Sequence, residues 1–264
     1  MIGPGEECDA LFWIGCCTTY DILKQKVAYN VLHILMSAGL KVGVLGSEES
    51  CCGDPARLLG DENLFQTIVK GQIEAIQSRK FKYLISHCPH CYNVFKNEYP
   101  QFGATFQVKH HTEVIYDLIQ QGKIKLEQPI ERKITYHDPC YLGRYNDVYD
   151  APREILKSIK GVEVVEMKNA RELSRCCGGG GGHYWMDIPT GERINVARVN
   201  EATRTEADII AVGCVYCLQM LNDAVKVNNL EEKLTVNDIS ELVVESMGGL
   251  ADSKQMPALK VKAA

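Results

Sequence analysis

Ten of the twelve cysteines fall into two matching sets whose spacing suits a soft metal centre. The first set is Cys16, the vicinal pair Cys51-Cys52, and Cys88-Pro89-His90-Cys91. The second is Cys140, Cys176-Cys177, and Cys214-Val215-Tyr216-Cys217. The sets hold a near-constant register, with an offset of 124 for Cys16 and Cys140, 125 for the vicinal pairs and 126 for the CxxC cysteines. Self-similarity of this kind marks a duplicated structural unit. A disulfide framework fits poorly. Neighbouring Cα atoms lie about 3.8 Å apart, short of the roughly 4.4–6.8 Å that a bridge spans. Residues 1–8 also have neither the charged nor the apolar region of a secretion signal. A reducing, cytoplasmic setting with thiols used for metal or redox work is the expectation.

Five thiols per set arrive on three loops with 34–36 residues between them. Structural zinc takes four tetrahedral ligands, and ordinary iron–sulfur clusters draw theirs from compact runs such as CxxCxxC. Five ligands from three loops suit a larger, multi-iron object; a zinc-binding structural or assembly module without turnover is the alternative. Cys88-Pro89-His90-Cys91 alone would suit a thioredoxin-like dithiol, but its repeat partner and the vicinal pairs upstream favour metal. Each vicinal pair runs into glycine, Gly53 in one half and Gly178 to Gly182 in the other. Glycine weakens regular structure by roughly 0.5–1 kcal/mol relative to alanine, so these runs read as turns that hug a bulky ligand, with N–H groups aimed at sulfur. No Lys-Ser/Thr follows them, which excludes a phosphate loop.

The histidines His87, His90, His137 and His183 each stand within seven residues of a ligand cysteine. They are candidates for hydrogen bonding around the centre. Arg57, Arg144, Arg153 and Arg175 are candidates for offsetting thiolate charge. Register selects Cys16 over Cys17, since Tyr141 stands beside Cys140, so Cys17 and Cys8 read as packed thiols. His110 and His111 read as surface or strand-end residues, and Trp13 and Trp185 as core. A net charge of -5 provides no basic footprint for nucleic acid, and the longest nearly apolar run, Ile209 to Leu221, is too short to span a membrane.

The positioning elements follow from periodicity. Strands are expected at Leu11–Ile14, Val42–Leu45, Tyr83–Ser86 and Phe106–Val108, and helices at Asp21–Ala38, Leu64–Ile76 and Glu113–Gln121. After a polar connector at 123–132 the order repeats: strands at Ile134–Tyr136, Val162–Val165, Ile209–Val212 and Leu234–Val236, helices at Pro152–Ile159, Gly191–Ala207 and Ile239–Met247. Alternating strands and helices imply parallel sheets. In every unit the cysteines follow the strand, where open α/β sheets bind ligands. The expectation is an α/β protein of two pseudo-symmetric Rossmann-like half-domains, residues 1–122 and 133–248, packed face to face with a cysteine site at the strand carboxyl ends of each. A disordered tail is expected over 249–264.

With these residues in view, the chain resembles the CCG, or cysteine-rich, domain of heterodisulfide reductase B and D subunits and related Fe–S oxidoreductases. The repeated spacing carries the resemblance, together with His137-Asp138-Pro139-Cys140-Tyr141-Leu142-Gly143-Arg144, Pro152-Arg153 and Cys176-Cys177-Gly178-Gly179. It implies two non-cubane [4Fe–4S] clusters, each held by five cysteines: Cys16, Cys51, Cys52, Cys88 and Cys91, and Cys140, Cys176, Cys177, Cys214 and Cys217. It further implies an oxidoreductase subunit that passes electrons from a flavoprotein or ferredoxin-type partner to a disulfide, quinone or similar acceptor, with the substrate at a cluster iron. A membrane subunit could tether it peripherally. The chain has no CxxCxxC motif, P-loop or convincing GxGxxG of its own, so electrons are expected from a partner.

Overall fold

The computed structural model describes residues 1–180, 182–186 and 191–250. The tail expected to be disordered lies, from 251 on, outside the described residues, as does Gly181 of the glycine run. The chain divides into two units, Met1–Ile124 and Lys125–Gly249.

The first unit holds β1 (Ala10–Trp13), α1 (Cys16–Thr19), α2 (Ile22–Ser37), β2 (Val42–Gly43), α3 (Asp54–Leu58), α4 (Glu62–Gln77), β3 (Tyr83–Ser86), α5 (Pro89–Asn93), β4 (Val108–His110) and α6 (His111–Gln120). Its sheet is parallel, in the order β2-β1-β3-β4. The second unit holds β5 (Arg132–Tyr136), α7 (Asp150–Ser158), β6 (Val162–Val165), α8 (Ile194–Thr203), β7 (Ile209–Val212), α9 (Val215–Val227), β8 (Thr235–Asp238) and α10 (Ile239–Ser246). Its sheet is parallel too, in the matching order β6-β5-β7-β8. Two α/β halves of the same topology are what the duplicated cysteine pattern required.

The topology sets where a ligand can sit. Strand order reverses between β1 and β3, and again between β5 and β7, leaving a crevice at the carboxyl ends of those strands. The cysteine loops leave from the ends of the first three strands of each unit. Central strands β1, β3 and β7 are apolar and covered on both faces, as parallel sheets demand: Leu11, Phe12, Leu84, Ile85, Ile210 and Val212 are fully buried. Helix α2 is fixed at its start by Asp21, whose carboxylate accepts from Leu23 N at 2.9 Å and Lys24 N at 3.4 Å, a cap contributing about 1 kcal/mol.

Some local expectations needed correction. Strand β2 stops at Gly43 rather than Leu45, because Gly46 takes a left-handed φ of 65° and opens a short 3-10 turn over Gly46–Glu48. Strand β4 covers Val108–His110 rather than Phe106–Val108, although Gln107 still accepts a bond from Leu84 N. Helix α8 begins at Ile194, not Gly191. His110 ends β4, as the strand-end expectation had it, but it and His111 are fully buried rather than on the surface. Helix α6 starts straight off β4, so His110 caps it while both rings pack inward, His110 against Tyr92 and His111 against His87. Trp185 is not core but 58% exposed, with its ring against Tyr184 and Tyr216.

Candidate metal centres

Each unit gathers its five cysteines into an unbroken series of sulfur contacts. In the first, Cys16 Sγ lies 4.0 Å from Cys51 Sγ; Cys52 meets both Cys51 and Cys91, and Cys91 meets Cys88. In the second, Cys140 meets Cys176, Cys176 meets Cys177, Cys177 meets Cys217, and Cys217 meets Cys214. All ten thiols are free. Cys52, Cys88, Cys91, Cys177, Cys214 and Cys217 are buried, while Cys16, Cys51, Cys140 and Cys176 reach the rim.

The backbone explains why a glycine follows each pair. Gly53 and Gly178 have φ of 89° and 85°, a region that costs other L-residues about 1–2 kcal/mol. In that conformation Gly53 N donates to Cys51 Sγ at 3.4 Å, and Gly178 N to Cys176 Sγ at 3.2 Å. The CxxC motifs share a second device. Cys88 and Cys214 cap the amino ends of α5 and α9, placing Cys91 and Cys217 in the first turns. Gly15, with φ 82°, turns the chain from β1 into Cys16, and the half-buried Glu49 carboxylate accepts from the N–H groups of Ile14 and Gly15.

These contacts polarise the cups in the same way. Cys51 is drawn down to about 3, first by S–H donation from Cys16 and Cys52, then by the Gly53 N–H working against burial. Cys176 is drawn well below the thiol range by Cys140 and Cys177, with Gly178 N–H and His137 adding to it. Their neighbours Cys16, Cys52, Cys140 and Cys177 are pushed up by contact with that charge and by desolvation. Cys88 is drawn down to about 7, first by Cys91 and, against burial, by His90 and the N–H groups of residues 90 and 91. Five thiols side by side, three of them buried, cannot all ionise without a cation among them. An all-sulfur donor set of this kind fits soft metals and iron–sulfur clusters.

The flanking candidates fare differently. His137 is fully buried, and one of its ring nitrogens lies within 4.8 Å of Cys177 Sγ and Cys217 Sγ. Burial and the Arg198 cation hold its ring neutral. His87 is also buried, but its Nε2 bonds to Thr18 Oγ1 at 2.8 Å. His90 Nδ1 bonds to Asp54 Oδ2 at 2.9 Å, tying the first CxxC to the helix after Gly53. His183 is exposed and lines a cavity of about 210 Å³ beside Gly178, Asn195 and Met220. Arg144 is exposed and reaches the Ser174 carbonyl at 2.6 Å, holding the loop before Cys176.

The other arginines pair with carboxylates: Arg57 with Glu98 at 2.8 Å, Arg175 with Glu201 at 3.7 Å, and buried Arg153 with both Asp138 and Glu166. Cys8 packs beside Gly43 and Ile2, as a thiol in the core does. Sequence reasoning missed Glu49, Asp54 and Arg198. Trp13 is buried in the core as expected, packed against Phe95, and stands three residues before Cys16, as His137 stands before Cys140.

The model of the CCG cysteine-rich domain matches this chain twice, over residues 10–96 and 134–222. The chain is 46% identical over 254 residues to the probable iron-sulfur-binding oxidoreductase FadF of Bacillus subtilis, covering 96% of this chain and 36% of that protein. It is 40% identical to the EtfAB:quinone oxidoreductase of Syntrophomonas wolfei, over 92% of this chain and 35% of the relative. The dihydromethanophenazine:CoB–CoM heterodisulfide reductase of Methanosarcina barkeri provides a third relative, its D-type polypeptide, which is 35% identical over 92% of this chain and 60% of its own length. The chain thus spans between about a third and 60% of the length of these relatives. Two matched copies, one in each unit and each containing five clustered cysteines, make this chain a member of the CCG cysteine-rich domain family.

Proposed function

We propose that the chain is an iron–sulfur oxidoreductase module that holds two [4Fe–4S] clusters of the non-cubane kind, one in each cup. Cys16, Cys51, Cys52, Cys88 and Cys91 hold the first; Cys140, Cys176, Cys177, Cys214 and Cys217 hold the second. The carrying observation is the unbroken series of five sulfurs at the strand carboxyl ends of each unit. A single zinc ion would leave one thiol over in each cup.

When bound, the clusters supply one-electron steps and an iron position open to a sulfur or oxygen of the acceptor. The protein's part is to bury the sulfurs, fix their spacing and exclude water. The vicinal cysteines take their spacing from Gly53 and Gly178, and the CxxC thiols take theirs from the starts of α5 and α9. In the second unit, a cavity of about 210 Å³ opens beside Gly178 and His183, next to the glycine turn that follows Cys176-Cys177.

The electron donor is a flavoprotein or ferredoxin-type protein, and the acceptor a disulfide or quinone-like molecule. Relatives named for EtfAB, for quinone and for heterodisulfide reduction support this reading. Among the described residues no helix is long and apolar enough to cross a membrane; contact with a membrane would run through a partner of this cytoplasmic module. Anaerobic isolation with iron and acid-labile sulfide counting tests the proposal. About eight irons and eight sulfides per chain are expected, four per cluster. One zinc per cup and no sulfide would establish a structural module instead.

A further inference from the structure

We propose that Trp13 and His137 form a matched pair of N–H donors, each directed at sulfur of the cluster held in its own half, the inference resting on the two-cluster reading above. The two residues hold the same place in the repeat. Trp13 ends β1 and His137 directly follows β5, each three residues before the first cysteine of its set.

Both rings are sealed from solvent, at 1% and 0% exposure, and both retain a buried nitrogen without a hydrogen-bond partner among the described residues: Trp13 Nε1 and His137 Nε2. A buried donor left unmade costs about 1–3 kcal/mol. One such donor at the same repeat position in each half is hard to explain unless a ligand accepts from it. The surroundings point the same way. A methyl group built on Gly15 would lie 3.7 Å from Cys91 Sγ and 3.8 Å from Trp13 Nε1, so indole and thiol flank one gap. His137, Cys177 and Cys217 bring their donor atoms within 4.8 Å of one another.

That last grouping resembles a metal triad, yet the hydrogen bond behind the imidazole argues against ligation by His137. Arg198 Nε donates to His137 Nδ1 at 3.1 Å. A guanidinium has no acceptor to offer, so Nδ1 must accept and the ring proton sits on Nε2, facing the cup. A metal-ligating histidine does the reverse and donates from its outer nitrogen. Arg198 is itself fixed, to Glu201 Oε2 at 2.9 Å, Asn169 O at 2.8 Å and Ser174 Oγ at 3.1 Å. The tryptophan needs no such lock, because its indole nitrogen can only donate. Two different rings therefore present one chemistry. An N–H donated to cluster sulfur stabilises the more negative, reduced state and raises the reduction potential.

The test uses the full chain, loaded anaerobically, labelled with 15N-histidine, and reduced in H₂O and in D₂O. Iron and sulfide are counted first, then pulsed EPR and midpoint potentials are read. An exchangeable deuteron coupling is expected at both clusters, with a weak 15N coupling at one. Trp13→Phe should remove one exchangeable deuteron coupling at one cluster, leaving that of the Gly53 N–H on Cys51, and leave iron content unchanged. It should also shift that cluster's oxidised-to-reduced ratio at fixed potential severalfold toward oxidised, where tenfold corresponds to about 59 mV for one electron. Replacing His137 would strand Arg198, so the labelled, unsubstituted chain serves for that half. Fully loaded Trp13→Phe protein with unchanged coupling and potential would overturn the donor pair alone. A 15N coupling of the size of a directly bound nitrogen would overturn it by making His137 a ligand. Protein that takes up no iron and sulfide would remove the cluster reading, and the pair with it.

Discussion

Cys51 and Cys176 stand 125 residues apart in the same place of the same motif, each accepting an N–H from a left-handed glycine. Behind them the halves part company. Two residues before Cys51 lies Glu49, accepting from the turn that carries Cys16; two residues before Cys176 lies Ser174, which accepts from buried Arg198. The register position of His137 is filled by Trp13, and that of His90 by Tyr216. The sulfurs are placed by backbone conformation, strand order and helix starts, which a duplicated fold reproduces. The polar groups behind them hang on single side chains, which can diverge without moving a sulfur. Two cups with one donor set can thus be tuned apart.

The largest expected effect tests the sameness. Cys52→Ser and Cys177→Ser should each remove or convert one cluster, taking the iron count from about eight toward about four, while Cys8→Ser and Cys17→Ser leave it unchanged. Dependence on Cys17, with Cys16 dispensable, would break the register that relates the halves. A smaller but substantial effect tests the difference. Arg153 is buried between Asp138 and Glu166, and Arg153→Leu strands a buried Asp138 carboxylate at a cost of about 3–5 kcal/mol. Hydrogen exchange resolved along the chain should show residues 125–249 losing protection first. Equal loss in both units would mean that they do not unfold separately.

Much of this was readable from local chemistry. A glycine after two cysteines announces a left-handed turn, and Gly53 and Gly178 adopt it. Apolar runs ahead of each cysteine announce parallel strands, and the strand order then brings three distant loops to one crevice. What escaped were contacts between residues far apart in sequence. Arg198 sits on a helix of mixed apolar and polar residues, with nothing local to mark it as a buried anchor for His137, 61 residues away. Glu49 reaches back 34–35 residues to Ile14 and Gly15. His110 and His111 look polar and exposed in sequence, and only the abrupt turn from β4 into α6 buries them.

A still smaller difference lies in the two glycine turns. Both substitutions Gly53→Ala and Gly178→Ala incur the left-handed penalty of about 1–2 kcal/mol. At Gly53 the new methyl group would also stand 2.7 Å from the Phe65 ring, whereas at Gly178 the nearest atom is Ile194 Cβ at 3.3 Å. Overpacking adds about 1–3 kcal/mol where the neighbour cannot retreat, and Phe65 is fully buried. Denaturant unfolding should therefore rank Gly53→Ala as the more destabilising. The opposite rank would show that the Phe65 ring yields freely and that the two turns are equivalent.

The smallest expected effect is a pH dependence of opposite sign in the two units. Glu49 is pushed up to about 7 by desolvation, against the pull of the Gly15 and Ile14 N–H groups. Its folded form binds a proton more tightly than the unfolded chain, whose glutamate titrates near about 4.3. The first unit therefore loses stability as pH rises from about 4.3 toward 7. Glu201 is the reverse: despite burial, Asn169 N–H and Arg198 hold it below the ordinary glutamate value. That contribution to the second unit is present above the unfolded value and is lost as pH falls through the lowered folded one. Hydrogen exchange compared at pH 7 and pH 5 should show residues 1–124 gaining protection on acidification, with residues 125–249 losing theirs only on further acidification. Glu49→Gln should flatten the first trend and leave the second. Protection that moves in the same direction in both units, or a first trend that survives Glu49→Gln, would assign the pH response to charge spread over the whole chain rather than to the residues behind each cup.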